Sequence, residues 1–369
     1  MISSQCSVIS NYPLTTNHYS LYIHVPFCEA KCGYCSFYSV RKDDAQISAW
    51  LAALDREAAK YSHQQITTLY VGGGTPSVLT LNHWRTLMKT LRAHFDMSSL
   101  TEATCEANPN SLTIELVDFL TANHFTRISL GVQSLNDSEL ATLGRIHNSR
   151  QALHAMELVR SSGLALSCDL IFAIPGQTLR TWAESLRAVM NYAGHISTYQ
   201  LTLEPDTPLA GLYDNEDLNT AGYKFYRYAQ YLLPRKGFLQ YEISSFAPEG
   251  QECRHNIAYW HQDNVIALGP SAVGYIDGVR LANPRTLPDY LAGRDPEREE
   301  LSPRDRQIEL AILSLRTKWG IPRRDLLPEL EAVISSMPPE LFIIDDEHTA
   351  LTQKGMRLGN AIWSELIGL

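Results

Sequence analysis

Short apolar, β-branched segments alternate with amphipathic helical segments through the first half of this chain. Regular β-then-α alternation is typical of a parallel sheet whose strands are connected by crossover helices. Six such units are fewer than the eight of a closed barrel. The pattern therefore predicts the α/β class, with a partial (β/α)6 TIM-like barrel of parallel strands. The predicted strands are Leu21–Val25, Thr68–Val71, Ala103–Glu106, Arg127–Val132, Leu166–Phe172 and Ser197–Leu203, and the helices are Ile47–Tyr61, Leu81–Phe95, Ile114–Asn123, Ala152–Ser162 and Leu179–Tyr192.

The pattern changes after Glu204, where a helix is predicted at Tyr223–Leu233. Prolines at 284, 288 and 303 mark a boundary before a last set of elements. These are two helices (304–317 and 326–336), a hairpin (342–351) and a final helix (354–367), which together predict a small C-terminal winged-helix-like α+β domain. The expected domains are an N-terminal arm (1–20), the partial barrel (21–205), an extension of the core (206–295) and the C-terminal domain (296–369).

Composition narrows the classes of function. Of the 369 residues, 44% are hydrophobic and 19% are charged, which suits a folded chain with a large core. A net charge of −9 and the lack of any Lys/Arg-rich run argue against a nucleic-acid partner. No apolar stretch is long enough for a transmembrane helix, and no secretory signal is visible. The seven cysteines are odd in number, which argues against a disulfide scaffold and predicts a cytoplasmic location.

Three of the cysteines, Cys28, Cys32 and Cys35, form a C-x₃-C-x₂-C pattern directly after the first predicted strand. Thiolates ligate iron–sulfur clusters, and three of them leave one iron of a [4Fe–4S] cluster without a protein ligand. An open iron can bind a small molecule, as the open position of a catalytic zinc does. The alternatives are incidental thiols or a structural zinc, which would need a fourth ligand, and His24 is the near candidate. We predict the [4Fe–4S] cluster.

Polar residues recur where the predicted strands end. A glycine turn, Gly72–Pro76, follows the second strand, and Glu106, Gln133 and Asp169 lie in or end the next three, with Arg145 shortly after the fourth. The carboxyl ends of parallel barrel strands converge on one ligand. Each residue alone has an alternative as a satisfied core or capping residue. As a set they predict a nucleoside and amino-acid pocket, in which Arg145 suits a carboxylate.

The cysteine pattern, with an aromatic residue before its last cysteine, resembles the radical S-adenosylmethionine (SAM) superfamily. The resemblance implies that SAM chelates the open iron and that its reductive cleavage gives methionine and a 5′-deoxyadenosyl radical. Six strings in order resemble the oxygen-independent coproporphyrinogen III oxidase group: Tyr22–Cys28, Gly72–Ser77, Glu106–Pro109, Gly131–Ser134, Leu143–His147 and Asp169–Gln177. By this resemblance the SAM site is lined by Tyr22, Tyr34, Gly73, Gly74, Thr75, Glu106, Gln133, Arg145, Asp169, Thr202 and Val273.

This group contains two functions. Its oxidases decarboxylate two propionates of coproporphyrinogen III in porphyrin biosynthesis. Its HemW-type heme chaperones bind heme and pass it to apo-hemoproteins, which include membrane-bound respiratory enzymes. The oxidases carry a fourth cysteine two residues after the third, where this chain has Phe37. In addition, an H-N-x-x-Y-W motif of the chaperones matches His255, Asn256, Tyr259 and Trp260.

An imidazole can ligate heme iron, and the two aromatic residues could pack on the porphyrin. The other interpretation is that His255 caps a turn and the aromatic residues belong to the core. The resemblance favours a heme chaperone that uses a [4Fe–4S] cluster, SAM and heme. The oxidase remains the alternative, so whether the chain is an enzyme stays open and no catalytic residue is assigned. A pure interaction protein without a cluster is a third possibility. For the C-terminal domain we expect a protein-contact or lid role rather than DNA binding.

Overall fold

A computed structural model describes residues 18–213 and 215–368, apart from the side chains of 215–217 and 219–221. Most of the predicted N-terminal arm, including Cys6, lies outside the described residues. Eight strands and six helices form the first half of the fold. The strands are β1 (His18–Val25), β2 (Phe27–Cys28), β3 (Val40–Arg41), β4 (Gln65–Gly73), β5 (Glu102–Ala107), β6 (Arg127–Gln133), β7 (Ala165–Phe172) and β8 (His195–Gln200). The helices are α1 (Asp44–Ala58), α2 (Leu81–His94), α3 (Ile114–Ala122), α4 (Asp137–Thr142), α5 (Ser149–Ser162) and α6 (Leu179–Val189).

The six long strands form a parallel sheet in the order β1-β4-β5-β6-β7-β8. This arrangement confirms the predicted fold class and the partial barrel. Helices cover its outer face, where the indoles of Trp50, Trp84 and Trp182 are fully buried. Several helices begin at a side-chain cap that the sequence supplies, such as Thr80 before α2 and Asn148 before α5.

Alternation along the strands separates an apolar exterior from a polar interior. In β1, Leu21 and Ile23 are fully buried in the main core, whereas Tyr22 lies on the other face of the strand. The same period holds in β5, where Cys105 joins that core and Glu106 lies on the opposite face. The interior of the barrel is therefore lined by polar and aromatic side chains.

The second half of the chain extends the sheet on both sides. Its elements are α7 (Asn215–Leu232), β9 (Leu239–Gln240), β10 (Ser245–Ala247), α8 (Arg254–Trp260), β11 (Val265–Leu268), β12 (Val273–Ile276), β13 (Val279–Ala282), α9 (Leu287–Leu291) and β14 (Glu297–Glu300). Strand β11 pairs in parallel with β1, and β12, β13 and β14 follow in antiparallel order. Strands β10 and β9 continue the sheet beyond β8. Strands β11–β14 were not predicted from the sequence.

The remaining elements are α10 (Pro303–Leu315), β15 (Ile321–Pro322), α11 (Pro328–Ser336), β16 (Phe342–Ile344), β17 (His348–Leu351), α12 (Gln353–Arg357) and α13 (Gly359–Ile367). They enclose a separate core in which Leu315, Leu330 and Leu366 are fully buried. The predicted helices and hairpin are present, except that the last helix is divided at Leu358. No helix in the described part of the chain is long and apolar enough to cross a membrane.

Candidate functional site

The cysteine loop begins at Cys28, the last residue of β2, at the carboxyl end of the barrel strands. Its middle is tied to two distant segments, because Gly33 N donates to Leu143 O at 3.1 Å and Leu209 N donates to Gly33 O at 3.0 Å. A Cβ on Gly33 would lie 3.2 Å from the Leu209 side chain, so the contact favours glycine there. Strand β2 and these two distant segments therefore hold the loop over the carboxyl end of the barrel strands, which we call the barrel mouth.

Each thiol of the loop has a hydrogen-bond partner. Cys28 Sγ lies 3.3 Å from Thr75 Oγ1, and Arg145 Nη1 donates to Cys32 Sγ at 3.3 Å. Cys35 accepts a backbone hydrogen bond, yet burial raises the pKa of its thiol and the neighbouring Cys32 and Cys28 raise it further. Burial and, to a lesser degree, the neighbouring thiols disfavour the thiolate form, and iron bound to the sulfurs would offset both.

The described residues contain no three His, Cys, Asp or Glu side chains that could hold a single metal ion. In a cubane each cysteine ligates a different iron, so the three thiols need not meet at one point. His24, the candidate fourth zinc ligand, is engaged elsewhere. Its Nε2 bonds to the carbonyl of Tyr38 at 3.0 Å, and its Nδ1 bonds to the hydroxyl of Tyr22 at 3.1 Å.

The glycine turn after β4 packs against the start of the cysteine loop. Gly74 N donates to Val25 O and Thr75 N donates to Phe27 O, each at 2.8 Å. A Cβ on Gly74 would lie 2.7 Å from the carbonyl oxygens of both Val25 and Phe27. Gly73 has φ +104°, which disfavours other residues. The turn therefore needs glycine because two backbone segments touch there.

Two carboxylates lie inside the barrel. Glu106 accepts hydrogen bonds from Tyr70 Oη at 2.8 Å and from Gly73 N at 3.0 Å, and Asp169 accepts one from Ser129 Oγ at 3.0 Å. Burial, with a smaller contribution from the charge of Asp169, raises the pKa of Glu106 to about 7, although the hydrogen bonds from Tyr70 and Gly73 act to lower it. Burial likewise raises the pKa of Asp169 to about 6. Such perturbed carboxylates are typical of ligand sites.

Arg145 connects the cysteine loop with the strand ends. Besides Cys32, its guanidinium donates to Asn108 Oδ1 at 2.7 Å and to Gly131 O at 2.8 Å. A Cβ on Gly131 would lie 2.9 Å from Gln133 Nε2 and 3.3 Å from Arg145 Nη2, so Gln133 and Arg145 lie together. Asn108 was not predicted as a site residue from the sequence, although it stands two residues after Glu106 and offers an amide just after the end of the same strand.

The other predicted SAM residues lie around the same edge. Tyr34 is bonded to Arg145, and burial raises the pKa of its hydroxyl. Thr202 is exposed just beyond the carboxyl end of β8, and Val273, 43% exposed, begins β12 after the turn that follows β11. The structure thus brings the cysteines, the glycine turn, Glu106, Gln133, Arg145 and Asp169 to one end of the barrel.

The H-N-x-x-Y-W segment lies at the opposite end. It forms α8, whose first turn is held by Glu102, the first residue of β5: Glu102 accepts from Arg254 N at 3.1 Å and from His255 N at 3.0 Å. Glu102 also pairs with Arg127 at 3.4 Å. His255 is 1% exposed and its ring stacks on Tyr70 at 5.1 Å. Gly73 lies five residues after Thr68, which His255 contacts, so the two are roughly 16 Å apart along β4.

The ring of His255 has a defined hydrogen-bond pattern. Its Nδ1 lies 2.8 Å from Thr68 Oγ1, which donates its own hydrogen to Ser20 Oγ at 2.8 Å. Thr68 must therefore accept from Nδ1, so Nε2 is the unprotonated nitrogen. Nε2 has no hydrogen-bond partner among the described residues. Burial lowers the pKa of His255 to about 3, so the ring stays neutral near pH 7.

The remaining residues of the motif are half-buried. Tyr259 packs edge-on against His255 with ring centroids 5.6 Å apart, and the guanidinium of Arg316 lies 4.5 Å from the centre of the Trp260 ring. Asn256 lies on the same helix and is also half-buried. Helix α8 is thus enclosed between the base of the barrel and α10. The four predicted heme residues lie on one helix, but His255, the predicted iron ligand, faces the barrel interior.

Comparison with known proteins agrees with this arrangement. Residues 22–189 match the model of the Radical SAM superfamily. The heme chaperone HemW of Lactococcus lactis is 31% identical, with 94% of this chain and 97% of that protein covered. HemW of Mycobacterium tuberculosis is 33% identical, with 96% of each covered. In structure, coproporphyrinogen III oxidase (HemN) of Escherichia coli matches with a TM-score of 0.81 at 22% identity, covering 94% of this chain and 89% of that one.

Proposed function

We propose that this chain, which belongs to the HemW family of heme chaperones and has a radical SAM core, binds heme and delivers it to apo-hemoproteins. The observation that carries the proposal is the likeness to heme chaperones at about one-third identity over nearly the whole of both chains. Phe37 supports it, because it stands where the resembled oxidases carry a fourth cysteine. The likeness to the oxidase HemN supports the fold only.

Cys28, Cys32 and Cys35 would hold a [4Fe–4S] cluster as the resident cofactor. The fit rests on the placement of the three thiols on one loop and on the hydrogen-bond partner that each sulfur has. SAM would occupy the barrel mouth, with its positive amino group near the carboxylates and its carboxylate near Arg145. When bound and reduced, such a cluster would be able to supply one electron to SAM, and this chain's residues would hold and orient the two groups.

Heme is the cargo, and His255 is the proposed iron ligand. The bare lone pair of Nε2 and the low pKa of the ring are what a neutral imidazole ligand requires. Because Nε2 is buried, heme can reach it only when α8 moves away from the barrel base. We therefore propose that heme binding opens α8 and that Tyr259 and Trp260 then pack on the porphyrin. The free thiols among the described residues support a reducing, cytoplasmic setting for the transfer.

The test is a heme titration of anaerobically reconstituted protein, followed by the Soret band. His255→Ala should abolish saturable binding of one heme per chain, whereas His261→Ala, at the end of the same helix, should keep it. Circular dichroism checks that both variants are folded. Saturable binding by His255→Ala, at wild-type affinity, would contradict the assignment of the ligand.

The oxidase alternative is tested in the same preparation. Coproporphyrinogen III, SAM and dithionite are added to protein whose iron and sulfide contents show a full cluster. A heme chaperone should bind heme and leave coproporphyrinogen III unchanged. Conversion to protoporphyrinogen IX would contradict the proposed function and make the chain an oxidase in spite of Phe37.

A further inference from the structure

Asn108 connects two side chains, Thr75 and Arg145, that are hydrogen-bond partners of the cysteine sulfurs. Its Nδ2 donates to Thr75 Oγ1 at 3.0 Å, and its Oδ1 accepts from Arg145 Nη2 at 2.7 Å. Arginine can only donate, so the oxygen of the amide must face Arg145 and the nitrogen must face Thr75. Asn108 is itself held in place, because its backbone N donates to Ser77 Oγ at 3.1 Å.

The orientation of this amide decides what the Thr75 hydroxyl does. Thr75 is 3% exposed, and its oxygen accepts from Asn108. The single hydroxyl hydrogen is therefore free to point at Cys28 Sγ, 3.3 Å away. On the other side, Asn108 fixes one arm of the guanidinium while the other arm donates to Cys32 Sγ. One amide thus orients donors to two different cysteine ligands.

Hydrogen bonds to the sulfurs are among the factors that set the potential of an iron–sulfur cluster. A donor stabilises the extra negative charge of the reduced cluster more than it stabilises the oxidised one. We propose that Asn108 is a positioning residue that raises the reduction potential of the cluster by directing Thr75 to Cys28 and Arg145 to Cys32. This inference rests on the cluster of the proposed function.

Asn108→Asp is the informative substitution because it keeps the shape of the side chain and its bond to Arg145. Its second carboxylate oxygen can only accept, so the Thr75 hydroxyl turns to it and away from Cys28. The added charge also disfavours reduction. Asn110→Asp is the matched control: Asn110 lines the same cleft and bonds to Glu29 at 2.7 Å, but it has no bond to Thr75 or Arg145.

The measurement is a dithionite titration of anaerobically reconstituted protein with redox mediators and without SAM, in which the reduced cluster is followed by electron paramagnetic resonance. Asn108→Asp should lower the ratio of reduced to oxidised cluster at a fixed potential by about tenfold, or about 59 mV for one electron. Asn110→Asp should lower it clearly less. Thr75→Val should lower it, and Thr75→Ser, which keeps the hydroxyl, should not.

A double variant tests the route through Thr75. In the Thr75→Val background the hydroxyl is gone, so Asn108→Asp should shift the potential only as much as Asn110→Asp does. Fully additive shifts, or equal shifts for Asn108→Asp and Asn110→Asp, would overturn the inference. If the Asp variant does not assemble a cluster, equal potentials for Thr75→Val and Thr75→Ser would overturn it. If the wild-type protein itself takes up no iron and sulfide on reconstitution, that result would overturn both this inference and the proposed cluster on which it rests.

Discussion

The two carboxylates inside the barrel should make SAM binding at the proposed site dependent on pH. SAM carries a positive sulfonium, so it binds best when Glu106 and Asp169 are ionised. Burial raises the pKa of Glu106 to about 7 and that of Asp169 to about 6. When the pH is below the pKa of either carboxyl group, that group must lose a proton before SAM binds. Affinity should therefore rise with pH through this range.

The size of the effect follows from the two pKa values. If both carboxylates must be ionised and titrate independently, the dissociation constant at pH 6 is about 20-fold larger than at pH 8. Glu106→Gln removes the larger contribution and leaves about a twofold change, on top of a lower affinity at every pH. Glu115→Gln, an exposed substitution on α3, should keep the wild-type dependence.

The assay is anaerobic calorimetry of the reconstituted protein with SAM at pH 6, 7 and 8 and constant ionic strength. Affinity that does not change between pH 6 and pH 8, or that falls as pH rises, would refute the reasoning. A Glu106→Gln variant that retains the full 20-fold change would show that another group titrates.

Three further substitutions test the packing described above. Gly74→Ala should displace the cysteine loop, because its Cβ would meet two carbonyl oxygens at 2.7 Å; the iron content after reconstitution should fall severalfold, whereas Gly211→Ala, in open space, should load normally. Glu102→Gln should lower the free energy of unfolding in urea by about 3 kcal/mol, because it leaves the buried Arg127 without its charged partner; Glu157→Gln, at a solvent-exposed ion pair, should change it little. Leu330→Ala should lower that free energy by about 2–5 kcal/mol and raise hydrogen exchange in α11 and α13, whereas the more exposed Leu358→Ala should do neither.

The parallel strands of the barrel were predictable because each buries a run of apolar residues against the helices. Strands β11–β14 were not, since each has only four residues and β14 consists entirely of exposed charged residues. They form because β11 pairs with the edge of β1, and this long-range pairing cannot be inferred from the local sequence pattern. The domain boundaries at 205, 295 and elsewhere stay a prediction.

In the candidate site, too, some residues could be predicted from the sequence and others could not. The sequence predicts several site residues, because their residue types are distinctive at or shortly after the strand ends. These are the cysteines, the glycine turn, Glu106 and Arg145, and the fold brings them together. Asn108 becomes visible only through its partners, because a single amide in a loop has no distinctive pattern. The position of His255 inside the barrel base also depends on long-range contacts, with Thr68 and Glu102, that spacing does not reveal.

The anchoring of the cysteine loop has a consequence for biosynthesis. Gly33 is made early, but its hydrogen-bond partners Leu143 and Leu209 emerge from the ribosome much later. At ordinary translation speeds the delay is on the order of ten seconds. During that time the three thiols have no fixed arrangement and are exposed to oxidants. Insertion of the proposed cluster in the correct geometry would therefore have to wait until translation has passed Leu209, which would make it a late step in the maturation of this protein.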